Sequence, residues 1–484
     1  MNSILDLNPK MVWKNFHDIC QIPHPSKKEE KIIAYMQEFA KKNNLECITD
    51  EVCNVIIRKP ATPGMENRKV VVLQAHLDMV PQKNSDTAHD FEKDPISTFI
   101  DGEWLRAKGT TLGADNGIGV AAIMTVLEST DIAHGPIEAL LTIDEETGMT
   151  GAFGLKPGFL KGDILLNLDS EDEGELYVGC AGGVDATLTL NYTTEKTPAN
   201  TEAYKLSVTG LKGGHSGMDI ILGRGNANKI IFRILKAIYR LGAGIADING
   251  GSLRNAIPRE AFATIVIPSA NKDAILKEID SIKNIVASEL SLVEPDFKVT
   301  YEAVALPATI IENKAAVTII DTICTCPNGV LRMSDSMPGL VETSSNLAIV
   351  KSDGSKVVIS CLIRSSVDTA KEDITSMFAS LMNLAGGKAE FAGGYPGWKP
   401  NMNSAILKTM QEVYQKLYGK TPEIKAIHAG LECGLLGGVY PNWDMISFGP
   451  TIRNPHSPDE RVHIESVGKF WNYLVETLKN IPVK

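Results

Sequence analysis

The sequence has little that would direct the protein to a membrane or a nucleic acid. The N-terminal residues form no apolar signal segment, and no run approaches the roughly 18 apolar residues of a membrane span. The formal net charge is -11, and no basic stripe interrupts it. Because nucleic acids and anionic membranes attract basic surfaces, neither is expected as a partner. We therefore expect a cytoplasmic protein.

Cysteine is also sparse, and its placement argues against two classes of site. Among eight cysteines the only close pair is Cys324-Thr325-Cys326, whose spacing suits neither a zinc knuckle nor a redox C-x-x-C motif. Most of the others lie in apolar context, which favours reduced thiols and a reducing compartment. The sequence has no G-x-S-x-G elbow, and Cys433 is expected to be buried, so a nucleophilic serine or cysteine hydrolase is poorly supported.

Five short segments that carry acidic residues or histidine stand out against this background. Each follows or lies close to an apolar stretch. They are His76-Leu77-Asp78, Gly113-Ala114-Asp115-Asn116-Gly117, Asp144-Glu145-Glu146-Thr147-Gly148, Asn167-Leu168-Asp169-Ser170-Glu171 and Asn454-Pro455-His456-Ser457-Pro458. Together they supply carboxylates and imidazoles suited to a pair of divalent metals, with one carboxylate left for acid–base chemistry.

The apolar stretches before these segments predict buried strands of an α/β sheet. Val70–Gln74 precedes His76, Ile137–Ile143 precedes the Glu145-Glu146 pair, and 163–167 precedes Asp169. Helical patterns alternate with these strands, beginning with one over 11–44. An open α/β sheet with its site along one edge has this layout.

The pattern changes in the middle of the chain, and at 484 residues more than one domain is expected. After about residue 185 the strands alternate like half-exposed antiparallel strands, and the α/β pattern returns near residue 395. We predict a discontinuous catalytic domain over 1–185 and 391–484, with an inserted α+β domain over 186–390.

Each segment taken alone has a simpler interpretation. His76 at a strand end is more often a core or surface histidine, and Asp115 before a helix is often a cap. Glu145-Glu146 is also consistent with a solvated acidic turn, and Asp169 lies in a run of charged residues. His456, between two prolines, is in an unusual place for a core histidine. The metal interpretation depends on the joint occurrence and order of the segments.

The order HLD, GADNG, DEETG, NLDSED and PHSPDE resembles the M20 family of di-metal peptidases and amidases. Within it, the chain is similar over essentially its full length to the aminoacyl-histidine dipeptidases, also in LKGGHSGMDI and HAGLECG. The resemblance implies a phosphorylase/hydrolase-like catalytic domain with a central mixed sheet, and a lid domain that makes a homodimer. It implies hydrolysis of Xaa-His dipeptides such as beta-alanyl-histidine.

The resemblance also implies roles for individual residues. Asp115 would bridge two metal ions, with His76 and Asp169 on one and Glu146 and His456 on the other. Asp78 would orient His76, Glu145 would be the general base and acid, and a cis peptide would follow Asp115. His215 would stabilise the oxyanion, in its own subunit or across a dimer. Arg364, His428 and Glu432 are the candidate substrate-binding residues.

Two alternative functions and the identity of the metal remain open from the sequence. The same metals would serve an N-acyl amino acid deacylase or desuccinylase, or a tripeptidase. A non-catalytic binding protein on this scaffold is disfavoured, because Glu145 and all five candidate ligands are present. Two histidines and three carboxylates are compatible with zinc, the expected metal, but also with manganese or cobalt.

Overall fold

The computed structural model describes residues 3–484 and divides into two compact units. The first contains residues up to Cys180, Trp398–Ala426 and Leu431–Lys484, and the second contains Ala181–Gly397 and Ile427–Gly430. The predicted boundaries, after residues 185 and 390, differ from these by a few residues, and the short return over 427–430 was not predicted. No helix among the described residues is long and apolar enough to cross a membrane.

The first unit is built on an eight-stranded mixed sheet. Its strands, in spatial order, are Glu46–Thr49, Val55–Lys59, Ile137–Thr142, Val71–His76, Ile164–Asn167, Asp444–Ser447, Glu175–Cys180 and Glu423–Ile427. The four from Ile137–Thr142 to Asp444–Ser447 are mutually parallel. Val55–Lys59 pairs antiparallel with both Glu46–Thr49 and Ile137–Thr142, and Glu175–Cys180 pairs antiparallel with Asp444–Ser447. The predicted α/β class with a central mixed sheet is confirmed.

Burial explains the sequence pattern of the central strands. Every residue of Val71–His76 and Ile137–Thr142 is buried, as the continuous apolar runs predict for strands covered on both faces. Because these strands are parallel neighbours, their carboxyl ends lie side by side. The residues that follow them therefore share one edge of the sheet.

Helices and a small sheet complete the first unit. The helices are Lys10–Cys20, Glu30–Lys42, Ala114–Glu128, Glu145–Gly148, Thr150–Gly154, Ala405–Tyr418, Glu432–Val439 and Ile464–Lys479, with a 3-10 turn at Ile4–Asp6. The small sheet has the order Ile452–Arg453, Arg461–His463, Trp104–Ala107 and Thr98–Asp101.

The single helix predicted over 11–44 is wrong. The structure has two helices there, and the segment between them contains Pro23 and Pro25. Proline removes a backbone donor and disfavours helical geometry in the preceding residue, so the helical pattern cannot continue through this segment.

The second unit contains a nine-stranded antiparallel sheet with helices packed against it. The path runs Lys298–Val304, Thr201–Thr209, Ala261–Pro268, Gly244–Gly250, Val341–Ser352, Lys356–Ser365, Gly182–Asn191 and Lys388–Tyr395, and Gly329–Met333 also pairs with Val341–Ser352. Two-stranded pairs join Thr194–Lys196 to Thr309–Ile311 and Gly214–His215 to Ala256–Ile257. The helices are Ala227–Tyr239, Lys272–Glu289, Asn313–Thr325 and Asp368–Ala385, with 3-10 turns at Ile220–Leu222 and Ser269–Asn271.

Candidate active site

Three of the predicted metal ligands meet at the end of strand Val71–His76. His76 is the last residue of this strand and is buried. Its Nε2 atom lies 3.1 Å from Oδ1 of Asp115 and 3.4 Å from Oδ1 of Asp169. Asp169 comes just after the neighbouring strand Ile164–Asn167, so the parallel pairing of the two strands accounts for its approach to His76.

A second group uses the other oxygen of Asp115. Nε2 of His456 lies 3.4 Å from Oδ2 of Asp115 and 2.8 Å from Oε2 of Glu146. The Glu146 side chain is almost fully buried, whereas His456 is about half exposed in its loop. Asp115 is therefore shared between two groups of possible ligands, as a bridging carboxylate would be.

The backbone around Asp115 is irregular. Asp115 and Asn116 have non-helical dihedral angles at the start of Ala114–Glu128, and the peptide bond between them is cis, as the family resemblance implied. The side-chain amide of Asn116 donates a hydrogen bond to Asp169. The two aspartates that flank His76 are therefore also connected through Asn116.

Asp78 contacts both His76 and the Glu145-Glu146 pair. Its Oδ1 accepts a hydrogen bond from the backbone N–H of Glu145 (3.0 Å), and its Oδ2 accepts from that of Glu146 (3.3 Å) and from Oγ of Ser26 (2.7 Å). Nδ1 of His76 lies 2.9 Å from the carbonyl oxygen of Asp78 but 3.4 Å from its carboxylate. The predicted contact of the Asp78 carboxylate with the ring is therefore the longer one, and the carbonyl is the closer acceptor.

Glu145 lies in an environment that disfavours its charge. Burial raises the pKa of Glu145 well above the ordinary value; His76 opposes this, and the carboxylates of Asp169, Glu432 and Glu146 add to it. A carboxyl group with a raised pKa is suited to accept a proton and return it near neutral pH.

The donor set of the two groups fits divalent cations. Oε1 of Glu146 is buried without a hydrogen-bond partner. Burial raises the pKa of Asp169 to about 6, and hydrogen bonds to Asp115 and Glu146 raise that of His456 to about 11. Within residues 3–484 no lysine or arginine pairs with these carboxylates. Without a metal, the groups retain protons to limit their repulsion, and cations would replace those protons.

Glu432 is fully buried in the first unit. Its Oε2 accepts hydrogen bonds from Nε2 of Gln74 (2.6 Å) and Oγ1 of Thr142 (2.9 Å), while its Oε1 has no partner. Burial raises the pKa of Glu432 to about 8. Gln74 and Thr142, on the two central strands, thus hold one carboxylate oxygen of Glu432. The other oxygen is available to accept a further hydrogen bond.

The second unit brings together His215, Arg364 and His428. Nη2 of Arg364 lies 3.5 Å from Nε2 of His215, and Nε2 of His428 is 2.7 Å from Oγ of Ser344. Burial lowers the pKa of His428 to about 3, and the positive charge of Arg364, followed by the neighbouring His215, adds to this effect. His428 is consequently a neutral imidazole at physiological pH.

The hydrogen bonds of His215 determine its tautomer. Its Nδ1 accepts from the backbone N–H groups of Gly217 (3.3 Å) and Met218 (3.1 Å), and burial followed by Arg364 lowers its pKa. The neutral ring must then carry its proton on Nε2. Because Arg364 can only donate, its contact with Nε2 is not a hydrogen bond, and the Nε2–H of His215 remains a donor.

Arg364 is a buried guanidinium without a carboxylate partner in the described chain. Its Nη1 donates to Oη of Tyr395 (3.1 Å) and its Nε to Oγ of Ser216 (3.3 Å). Arg364 therefore does not form a surface ion pair. A buried cation surrounded by neutral groups is suited to bind an anionic ligand.

Sequence reasoning missed three side chains that support the site: Asn116, Gln74 and Glu460. Asn116 lies within a recognised segment, and Gln74 ends a predicted strand, so their positions gave a weak signal. Glu460 is the last residue of the PHSPDE motif but was given no role from the sequence, and it accepts backbone hydrogen bonds from residues 112–115.

Comparison with known proteins agrees with this arrangement. The chain is 51% identical over 485 residues to the cytosol non-specific dipeptidase of Escherichia coli strain K12, with full coverage of both proteins. It is also 51% identical to an aminoacylhistidine dipeptidase from Vibrio alginolyticus, whose crystal structure matches with a TM-score of 0.97 over 100% of this chain and 99% of that one. An aminopeptidase PepT from Bacillus cereus shares the fold, with 16% identity, a TM-score of 0.60 and 98% and 99% coverage. The profile of Peptidase family M20/M25/M40 matches residues 72–480, and the chain belongs to this family.

Proposed function

We propose that this chain is a di-metal dipeptidase that hydrolyses Xaa-His dipeptides such as beta-alanyl-histidine. The observation that carries the proposal is the sharing of Asp115 between two ligand groups, with Glu145 beside them. The names of the two 51% identical relatives both describe dipeptidases, but one is called a non-specific dipeptidase and the other an aminoacylhistidine dipeptidase. The dipeptide class is therefore better supported than the preference for histidine.

Two cations fit the ligand groups described above. His76, Asp115 and Asp169 would hold one, and Asp115, Glu146 and His456 the other. Imidazole and carboxylate donors favour zinc, with manganese and cobalt as further candidates. When bound, such ions supply Lewis acidity, which activates water and polarises a carbonyl group.

The proton transfers are assigned to Glu145. The carboxylate takes a proton from the attacking water and returns it to the nitrogen of the leaving histidine. Its raised pKa suits both steps, because the group must hold the proton between them. Asp78 positions Glu145 by accepting its backbone N–H.

The second unit contributes a hydrogen-bond donor and a cation to the proposal. The Nε2–H of His215 is assigned to the scissile carbonyl oxygen, where it stabilises the developing oxyanion. The Arg364 guanidinium is assigned to the carboxylate of the substrate, and its lack of an acidic partner supports this role. His428 and Glu432 are proposed to contact the substrate as neutral or partly protonated groups.

The proposed assembly is a cytoplasmic homodimer formed through the lid domain. Strand Gly329–Met333 has only one strand neighbour among the described residues, and its Val330, Leu331 and Met333 are exposed. Ile221 and Leu222, in the adjacent 3-10 turn, are exposed as well. An exposed apolar strand edge of this kind is suited to pair with a second copy.

The test is release of free histidine from beta-alanyl-histidine by the purified protein. It is run as prepared, after chelation and after zinc is restored, with N-acetyl and N-succinyl amino acids and a tripeptide in parallel. We expect hydrolysis of the dipeptide alone, lost on chelation and recovered with zinc. Turnover of an acyl substrate or tripeptide instead would overturn the dipeptidase assignment but keep the metal site.

The Glu145→Gln variant tests the proton-transfer role separately. We expect kcat to fall by about 10²- to 10⁴-fold while the metal content stays that of the wild type. Glu103→Gln is a matched control, because Glu103 is an exposed glutamate in a strand turn of the same unit. A near-normal kcat in Glu145→Gln with metal bound would exclude Glu145 as the base.

A further inference from the structure

Glu460 accepts four backbone hydrogen bonds from consecutive residues that end at Asp115. Its carboxylate is 2% exposed. Oε2 accepts from the N–H groups of Leu112 (2.7 Å) and Gly113 (3.0 Å), and Oε1 from those of Ala114 (2.8 Å) and Asp115 (3.3 Å). A single buried carboxylate therefore occupies four successive donors.

The segment that surrounds this carboxylate resembles an anion-binding nest of backbone amides. Gly113 has a left-handed φ of +70°, which helps to turn successive N–H groups toward one side. A Cβ atom at this position would lie 3.0 Å from Sδ of Met79, so the turn is also closely packed. Glu460 thus supplies the acceptor oxygens that hold the backbone of the segment ending at Asp115.

Glu460 is equally well connected to the loop that carries His456. Its own N–H donates to the carbonyl of Ser457 at 2.9 Å. The next residue begins strand Arg461–His463, which pairs with Trp104–Ala107. The carboxylate is therefore a short, fixed connection between the loop of His456 and the backbone of Asp115.

These two ligands belong to the same cation group. Asp115 and His456 form it with Glu146, whereas the other group combines Asp115 with His76 and Asp169 on the central strands. We propose that Glu460 is a positioning residue that fixes His456 relative to Asp115 and so sets the affinity of the cation position formed by Asp115, Glu146 and His456. This inference rests on the proposed two-cation site.

The Glu460→Gln substitution keeps the size of the side chain but replaces one acceptor oxygen with an NH₂ group. That NH₂ would face two backbone N–H groups of the segment ending at Asp115. These groups lose their acceptor, and because donors repel each other the segment moves away from residue 460. Supporting groups of this kind change metal affinity by about 10- to 100-fold when they are altered. The loss of metal affinity should be largest at the cation position that includes His456.

The test is a Co²⁺ titration of the metal-free protein, followed by calorimetry and visible absorption. Wild-type protein is expected to bind two equivalents. In Glu460→Gln we expect one of the two steps to lose about tenfold or more in affinity, while the other step changes by less than about threefold. Excess Co²⁺ should then restore kcat for beta-alanyl-histidine, which a general structural defect would not allow.

Two further variants support the comparison. Asp459→Asn removes the same charge from the adjacent, exposed residue and should bind both equivalents like wild type. Glu460→Asp keeps the charge but shortens the reach by one methylene, and a smaller selective loss is expected; it also serves if Glu460→Gln does not fold. Unchanged binding in both Glu460 variants, or equal weakening of both steps, would overturn the proposal.

The outcomes also separate this inference from the proposed function. Wild-type protein that binds two cations and hydrolyses the dipeptide, with Glu460 variants that behave identically, would refute only the role of Glu460. Wild-type protein that binds a single equivalent would overturn the two-cation site and this inference with it.

Discussion

His428 gives a prediction about stability that does not involve the metal site. Its imidazole is buried in the second unit and hydrogen-bonded to Ser344, near the Arg364 guanidinium and the His215 imidazole. Burial first, and these two neighbours second, lower its pKa from 6.5 to about 3. We expect the His428→Gln variant, which can still reach Ser344, to change how the stability of the second unit depends on pH.

The sign follows from proton binding in the two states. Between about pH 6.5 and 3 the unfolded chain binds a proton at His428 and the folded protein does not. The stabilisation is therefore fully present above pH 6.5 and is lost as the pH falls below it. Each pH unit costs about 1.4 kcal/mol, so from pH 6.5 to 4.5 the free energy of unfolding should fall by roughly 2–3 kcal/mol through this group. Glutamine does not titrate, and its variant should lack this decrease.

The assay is urea unfolding of metal-free wild-type and variant protein at several pH values between 7.5 and 4.5. All five tryptophans lie in the first unit, so their fluorescence reports that unit, while far-UV circular dichroism reports both. The difference between the two proteins cancels the other titrating groups. The unfolding of the second unit is the part of the circular dichroism change that tryptophan fluorescence does not follow. If its free energy of unfolding has the same pH dependence in both proteins between pH 6.5 and 4.5, His428 is not a buried neutral imidazole and the reasoning fails.

Two further predictions concern Asp78 and the lid edge. In Asp78→Asn one oxygen that accepts a backbone N–H of Glu145 or Glu146 becomes an NH₂ group, while the Asp78 carbonyl still accepts from His76. We therefore expect kcat, measured by steady-state kinetics, to fall about 10- to 100-fold. The metal content, measured by elemental analysis, should stay nearly unchanged. Metal loss in parallel with activity would instead make the carboxylate the group that orients His76. Leu331→Lys should shift the protein from dimer to monomer in light scattering after size-exclusion chromatography, because a charge on the strand edge opposes pairing, whereas Leu292→Lys, at a fully exposed position, should not. A dimer that persists in Leu331→Lys would exclude this edge as the interface.

The strand-end reasoning worked for a physical reason. Continuous apolar runs predicted buried strands, and parallel strands that are neighbours present their carboxyl ends at one edge. His76, Glu146 and Asp169 are brought together by that rule. It did not require knowledge of the sheet order, only that the strands before them were parallel and central.

The same reasoning failed where local signals compete. Helical apolar spacing is present toward both ends of 11–44, but Pro23 and Pro25 lie between, and the structure has two helices there. The family resemblance implied that Asp78 orients His76, and the Asp78 carboxylate was expected to make the contact. The structure brings the Asp78 carbonyl closer, and a backbone acceptor leaves no mark in the sequence.

Glu460 shows this limit most clearly. It is separated from its partners by nearly 350 residues, and those partners are backbone N–H groups that every residue except proline possesses. A histidine near two carboxylates can be predicted from residue types, because both kinds of side chain are common metal ligands. A carboxylate that binds backbone has no complementary residue type to identify. What the sequence showed was an acidic residue four positions after a candidate ligand, which is also what a solvated loop would show; only the arrangement of the two loops distinguishes a positioning residue from a surface charge.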